Sequence, residues 1–400
     1  MAEQPYSPQA RRAFPARIAM ALLALFVAGC QIVPSSRVPD RPPPQRPQPT
    51  PEEPDVSPLP RDETRNRVAV LVPMTGPNAG VGMSIANAAN LALLDTGGEK
   101  IRITVYDTAR SGGAVAAANE ALAQGNRLFL GPLLSEDVQA IAPIARRARV
   151  PLISFSNDAS IAGNGVYMMG FTPDQSVARV VSFARSKGVQ RFAALVPDGV
   201  YGRRASQAMI EAVEDAGGRL IGMQRFDRSP NSLRTAITRL KAQGGYDAVL
   251  IADGGRIAVS AAPLLRAGPS SSARILGTEL WSTETDLGRT AGLRGSWYAS
   301  VPDTMFNQLR TRYRARYGAN PYRLASLGYD AVLLAVRVGR DWPVGRNFPE
   351  RALRDDAGFT GVDGAFRFRS DGVAERSLAV HEVTPGGTTI LSPAPRSFTD

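Results

Sequence analysis

Arg191-Phe-Ala-Ala-Leu-Val-Pro197, Arg219-Leu-Ile-Gly-Met-Gln-Arg-Phe226, Asp247-Ala-Val-Leu-Ile-Ala252 and Ala273-Arg-Ile-Leu276 are short apolar runs whose first residues stand 28, 28 and 26 positions apart. That interval holds one strand, one helix and two turns. Between the first two runs, Ala205, Met209, Ala212 and Ala216 fall on one helical stripe, and Gly217-Gly218 supplies the stop that a helix C-terminus favours. Runs that are apolar throughout, joined by helices, predict strands buried on both faces of a parallel sheet. A second set lies upstream, at Val68 to Pro73, Ile101 to Asp107, Arg127 to Leu130 and Pro151 to Phe155. Two sets predict two α/β lobes.

The composition narrows the chemistry. The chain has 400 residues, 44% hydrophobic and 21% charged, an ordinary globular mixture. One Cys, Cys30, and one His, His381, are too few for a zinc finger, an iron–sulfur site, a disulfide framework or a Cys/His nucleophile pair. No G-x-S-x-G elbow, P-loop or H-E-x-x-H occurs, and the glycines from Gly76 to Gly82 lack the third glycine of a dinucleotide fingerprint. The expectation is a protein that is not an enzyme and uses no cofactor or metal. His381, inside the strand-like run Leu378 to Val383, reads as a structural residue. The net charge of +11 comes almost wholly from arginine, since Lys100, Lys187 and Lys241 are the only lysines. Arg310, Arg312, Arg314 and Arg316 fall on two sides of one predicted helix and read as a solvated surface, so no nucleic-acid partner is expected.

Beyond these periodicities, several short motifs occur in a shared order: Val68-Ala-Val-Leu-Val-Pro-Met-Thr-Gly-Pro77, Gly131-Pro-Leu-Leu-Ser135, Ala142-Pro-Ile-Ala145, Val150-Pro-Leu-Ile-Ser154, Tyr201-Gly202, Gly328-Tyr-Asp-Ala331 and Gly361-Val-Asp-Gly364. In order and spacing they resemble the type I periplasmic-binding family, with shapes similar to leucine-binding receptors and to penicillin-binding-protein activator lipoproteins. The resemblance runs from about residue 67 to about 392. It implies two Rossmann-like lobes joined by three crossovers: residues 67–171 plus 301–343 as lobe one, 172–300 plus 344–392 as lobe two, and a tail at 393–400. The helical pattern from Tyr322 to Val338 would belong to lobe one. A ligand would then sit in the cleft beyond the carboxyl ends of the strands.

Carried over motif by motif, the resemblance places Ser135 where a hydroxyl holds a ligand carboxylate, Ser156 where a backbone group assists, and Glu279 where a ligand ammonium is held. Tyr201 is retained. Asp158 stands where the family has a Thr that donates to the carboxylate, and Arg256 stands in place of an aromatic wall residue. A second anion a few ångströms from the first would repel it by several kcal/mol at intermediate dielectric. Half of an amino-acid site is therefore present and half is altered. Ser135 and Ser156 also suit helix or turn caps, and Asp158 suits a cap before Ala159. Trp281 suits packing better than cleft closure.

The N-terminal segment reads as an address. Arg11, Arg12 and Arg17 precede the apolar run Ile18 to Ala28, whose length as a helix is about 16 Å, half of a ~30 Å hydrocarbon core. Residues 1–29 therefore suit a signal peptide. Val27-Ala28-Gly29-Cys30 resembles a lipobox, which implies that Cys30 is acylated. Gln31, in place of the Asp that resembles an inner-membrane retention signal, favours the periplasmic face of the outer membrane, with the lipid as the sole membrane contact. Residues 30–66 then form the lipidated Cys and a Pro-rich tether of low folding capacity, with an extended reach of roughly 115 Å. Outer-membrane sorting and a long tether favour an activator of a peptidoglycan synthase, a class A penicillin-binding protein; the alternative is the receptor of an ABC importer for amino acids or related small polar ligands. Replacing Cys30 by Ser is expected to abolish metabolic labelling with a fatty-acid analogue and to release the protein into the soluble periplasm; label retained by the variant would refute lipidation at this residue.

Overall fold

A computed structural model of the chain describes residues 64–268 and 270–398. Residues 1–29, expected as a signal peptide, Cys30 and nearly all of the expected tether lie outside the described residues. The described chain opens as β1 (Asn66–Val72), α1 (Ala79–Thr96), β2 (Ile101–Asp107), α2 (Gly113–Ala123), β3 (Leu128–Leu130), α3 (Ser135–Ala148), β4 (Leu152–Ser154) and β5 (Val166–Met168). These strands make one parallel sheet in the order β2-β1-β3-β4-β5. The next units are α4 (Pro173–Ser186), β6 (Arg191–Pro197), α5 (Val200–Asp215), β7 (Arg219–Phe226), α6 (Pro230–Ala242), β8 (Ala248–Ile251), α7 (Gly255–Leu265), β9 (Arg274–Gly277) and β10 (Trp297–Ser300). After α8 (Thr304–Tyr317) and α9 (Ala325–Gly339), β11 (Phe359–Gly361), β12 (Gly364–Phe368) and β13 (Ala374–Arg376) form a small antiparallel sheet. Finally β14 (Ala379–Thr384) and β15 (Gly387–Ser392) extend the second large sheet, whose order is β15-β14-β10-β9-β8-β6-β7. The result is the expected two-lobe α/β fold.

Alternation along the strands builds a core on each face of each sheet. Val68, Val70 and Val72 pack with α1, α8 and α9, whereas Ala69 and Leu71 pack with α2 and α3. In lobe two, Ala194 and Val196 pack with α4 and α5 while Ala193 and Leu195 pack with α6 and α7. The first helix after the leading strand sits directly on that strand's end in both lobes. A Cβ added at Gly82 would lie 1.8 Å from the carbonyl oxygen of Pro73, and one at Gly202 would lie 1.6 Å from that of Pro197. No side chain fits there, which accounts for the glycine in Tyr201-Gly202.

The chain passes between lobes at residues 169–172, 301–303 and 377–378. The third passage corrects the boundary expected at 343–344. Phe348, Leu353, Phe359, Phe366 and Phe368 belong to the lobe-one core beside α9, so lobe one continues to Arg376. Nothing in a βα period marks this stretch, because its strands are antiparallel and three to five residues long.

Two of the motifs meet here. The carboxylate of Asp330, on α9, accepts the backbone N–H groups of Val362 and Asp363 at 2.7 and 3.3 Å. A Cβ at Gly361 would lie 2.3 Å from Asp330 Cγ, so Gly361 is required by the approach of that carboxyl. Asp363 in turn pairs with Arg323 at 2.7 Å and lies 4.0 Å from Arg376. Arg376 also donates to the carbonyl of Met169 at 2.6 Å, and Gln175 of α4 brackets the end of β13, donating to Ala374 O at 2.8 Å and accepting Arg376 N–H at 2.7 Å. The first and third passages are thereby tied together.

Burial, with the neighbouring Asp363 charge adding to it, pushes the Asp330 carboxyl up from 3.8 to about 7. Between those values the folded protein binds more protons than the unfolded chain, so this group makes stability fall as pH rises through the window. Asp330→Asn is expected to flatten the pH dependence of unfolding free energy between about pH 4 and 7, by on the order of a few kcal/mol at most. Urea titrations across that range check it; an unchanged slope would exclude Asp330 as its source.

Candidate functional site

A cavity of about 440 Å³ opens between the lobes. Lobe one contributes Leu133, Phe155 and Leu324, lobe two contributes Glu279 and Leu280, and the connecting segments contribute Phe171 and Val301. The walls are mainly apolar, with Asn78, Asn157, Glu279 and Arg323 as the charged or amide-bearing exceptions. Each connection supplies its own wall because the strands end here: Leu133 follows β3, Phe155 follows β4 and Glu279 follows β9.

Glu279 is the best organised polar group in this wall. Tyr201, on the first turn of α5, donates its hydroxyl to Glu279 Oε1 at 2.9 Å, and Ser176 of α4 donates to Oε2. The Tyr201 oxygen also lies 3.0 Å from Thr278 Oγ1. Burial pushes the Glu279 carboxyl above its ordinary value, partly offset by the two hydroxyl donors. Burial and then the Glu279 charge push the Tyr201 phenol well above 10.0. Each carboxylate oxygen keeps lone-pair capacity for one more donor, so a bound ammonium or hydroxyl has an acceptor here.

The residues expected on the side of a ligand carboxylate have partners within the protein. Ser135 starts α3 next to the cavity-lining Leu133 and Leu134, with its hydroxyl 3.3 Å from Glu136. Ser156 is buried, and its hydroxyl accepts the N–H of Asp158 at 3.1 Å while its own N–H goes to Ser154 Oγ at 3.0 Å. That hydroxyl therefore shapes the loop. Asp158 caps the helical turn Ala159–Ile161 by accepting Ser160 N–H at 3.0 Å, and it is ion-paired with Arg204 of α5. Burial would raise its pKa, but donors from Ser160 and Arg204 bring the carboxyl below the usual range. The repulsion expected from Asp158 is corrected accordingly: Arg204, 46 residues away, matches its charge. Arg256 lies exposed on α7, apart from the cavity wall.

Arg323 escaped the sequence reading. It pairs with Asp363 at 2.7 Å, stacks on Phe306 at 4.1 Å and faces Phe171 at 5.7 Å, so it stiffens the wall that Phe171 presents. Its signal, one arginine at the start of the helical pattern from Tyr322 to Val338, does not stand out among the chain's 44 arginines. Trp281 is fully buried under Gly277, with its indole N–H on the carbonyl of Asp253 at 3.1 Å. His381 is stacked on Tyr298 at 4.9 Å, and burial pushes its imidazole down to about 4. Among the described residues, no cluster of three or more His, Cys, Asp or Glu side chains is placed to hold a metal ion, and no helix is long and apolar enough to cross a membrane.

Residues 66–388 match the family model described as periplasmic binding protein, and the chain belongs to that family. An uncharacterized protein of Rickettsia prowazekii, RP748, is 24% identical over 180 residues, covering 45% of this chain and 48% of the relative. The Leu/Ile/Val-binding protein homolog 6 of Brucella abortus is 25% identical over 191 residues, covering 44% and 48%. The matched stretch thus spans about half the length of these curated relatives. A solved structure from Rhodospirillum rubrum, assigned to branched-chain amino acid ABC transport, superposes with a TM-score of 0.72 at 22% identity, covering 82% of this chain and all of its own.

Proposed function

Starting from that membership, we propose that the folded part is a non-catalytic receptor for a small molecule with an apolar body, held between the lobes and anchored at one polar end by Glu279. The observation that carries this reading is the apolar cavity of about 440 Å³ with an organised carboxylate in its wall. Its volume lies in the ~300–1,000 Å³ range of pockets that enclose small organic ligands. The Leu/Ile/Val-binding name of the Brucella relative supports a ligand with an aliphatic or similar apolar part. The carboxylate side argues against an ordinary free amino acid, because the Ser156 N–H is already given to Ser154 Oγ within its own loop.

For the partner, two readings rest on different observations. A regulator of a class A penicillin-binding protein, carried on lipidated Cys30 at the outer membrane, is supported by Gln31 and by the Pro-rich tether. The receptor of an ABC importer is supported by the cavity and by the Rhodospirillum fold relative. Cross-linking in intact envelopes separates them: a synthase among the captured proteins is expected, and a permease in its place would favour the importer.

The cavity itself is tested with the mature chain in a thermal-shift panel of apolar carboxylates, apolar amines and free Leu, Ile and Val. A ligand at 100 times its Kd stabilises by ~2.7 kcal/mol, which is readily seen. An apolar compound larger than leucine is expected to raise Tm, with the free branched-chain amino acids giving little. Leu133→Trp, which fills the cavity from lobe one, is expected to erase that shift while leaving the unliganded Tm within a few degrees. A shift that survives Leu133→Trp would place the ligand elsewhere.

A further inference from the structure

Arg204 is the fifth residue of α5, in lobe two, yet its guanidinium ends in lobe one. Nη1 donates to the backbone carbonyl of Asn157 at 2.8 Å and Nη2 pairs with the Asp158 carboxylate. The pair is substantially shielded, with side-chain exposures of 25% for Arg204 and 17% for Asp158, so it is screened less than a surface pair. Its acceptor end is rigid. Asp158 is fixed by Ser160 N–H and by the hydrogen bond from its own N–H to the Ser156 hydroxyl. Asn157 lines the cavity. Ser156 also packs against the first connecting segment, since a Cβ at Gly170 would lie 2.0 Å from the Ser156 carbonyl oxygen.

The remaining interlobe ties described above, those of Gln175, lie at the connecting segments and are preserved by any rotation about them. The Arg204 tie is different in kind. It joins a helix of one lobe to a loop of the other beside the ligand cavity, and every atom in it belongs to the protein. We propose that Arg204 is a cross-cleft latch, which sets how often the two lobes are closed before a ligand contributes any contact. Apparent affinity then depends on the latch, because a receptor whose competent form is only fractionally populated binds more weakly by that fraction. The proposal goes beyond the receptor reading, since it holds whether or not the cleft takes a ligand.

Interlobe distance in the ligand-free protein tests it. Spin labels are attached to cysteines introduced at the exposed positions Glu136 and Gln207, one per lobe, in the full mature chain with Cys30→Ser. The latched protein is expected to give one dominant short-distance population. Arg204→Met is expected to raise the longer-distance population about tenfold relative to the shorter, equivalent to ~1.4 kcal/mol. Arg204→Lys, which keeps a cation opposite Asp158 and leaves the Asp158 cap intact, is expected to restore part of the short population, which a merely structural role for the arginine side chain would not predict. A distance distribution for Arg204→Met that superimposes on the parent would overturn the latch, and so would an Arg204→Lys protein that opens as far as Arg204→Met does. Neither result depends on the thermal-shift panel, so the latch and the receptor reading fail separately.

Discussion

One carboxylate, that of Asp363, lies between two largely buried guanidiniums where the chain leaves lobe one for the last time. A buried charge is tolerable only when its partners are in place, and removing one partner leaves the other uncompensated at a cost of ~3–5 kcal/mol. Arg376 reaches Asp363, the Met169 carbonyl and the faces of Phe171 and Phe366. Arg323 reaches Asp363, Phe306 and the rim of the cavity. The passage between lobes, the aromatic wall of the cleft and the seat of α9 therefore share one electrostatic condition. Because a guanidinium does not deprotonate at accessible pH, the condition cannot be relaxed from the cationic side.

The parallel parts of the fold were legible because burial on both faces leaves an apolar run, and each run must be followed by a helix before the next. β2, β6 and β7 occupy the ranges read for them, and the other expected strands differ by a residue or two at their ends. β5 and β10 were not read, being three and four residues long with no helix of the expected period between them and their neighbours. Antiparallel β11 to β13 carry neither the period nor an extended apolar run, which is why residues 344–376 were placed with the wrong lobe.

Legibility at the site followed a different rule. Glu279 and Tyr201 come together through two strand ends, and a motif reports strand ends well. Asp158 was read in isolation, and its meaning depended on Arg204, which no local pattern connects to it. The same holds for Arg323 and Asp363, 40 residues apart in sequence and 2.7 Å apart in space. Charge pairing over such separations is a property of the packed molecule, and single residue types reveal it poorly.

Leu71-Val72-Pro73 and Leu195-Val196-Pro197 end the leading strand of each lobe, and in each the proline carbonyl is touched by a helix glycine with no room for a methyl group. A helix seated on bare backbone has no side chain that can shift rotamer to absorb a displacement. Mechanically, α1 and its sheet form one rigid lever, and α5 with its sheet forms another. Any relative motion of the lobes must then be taken up as torsion in the few residues at 169–172, 301–303 and 377–378, and Arg204, riding on its lever, travels the full arc.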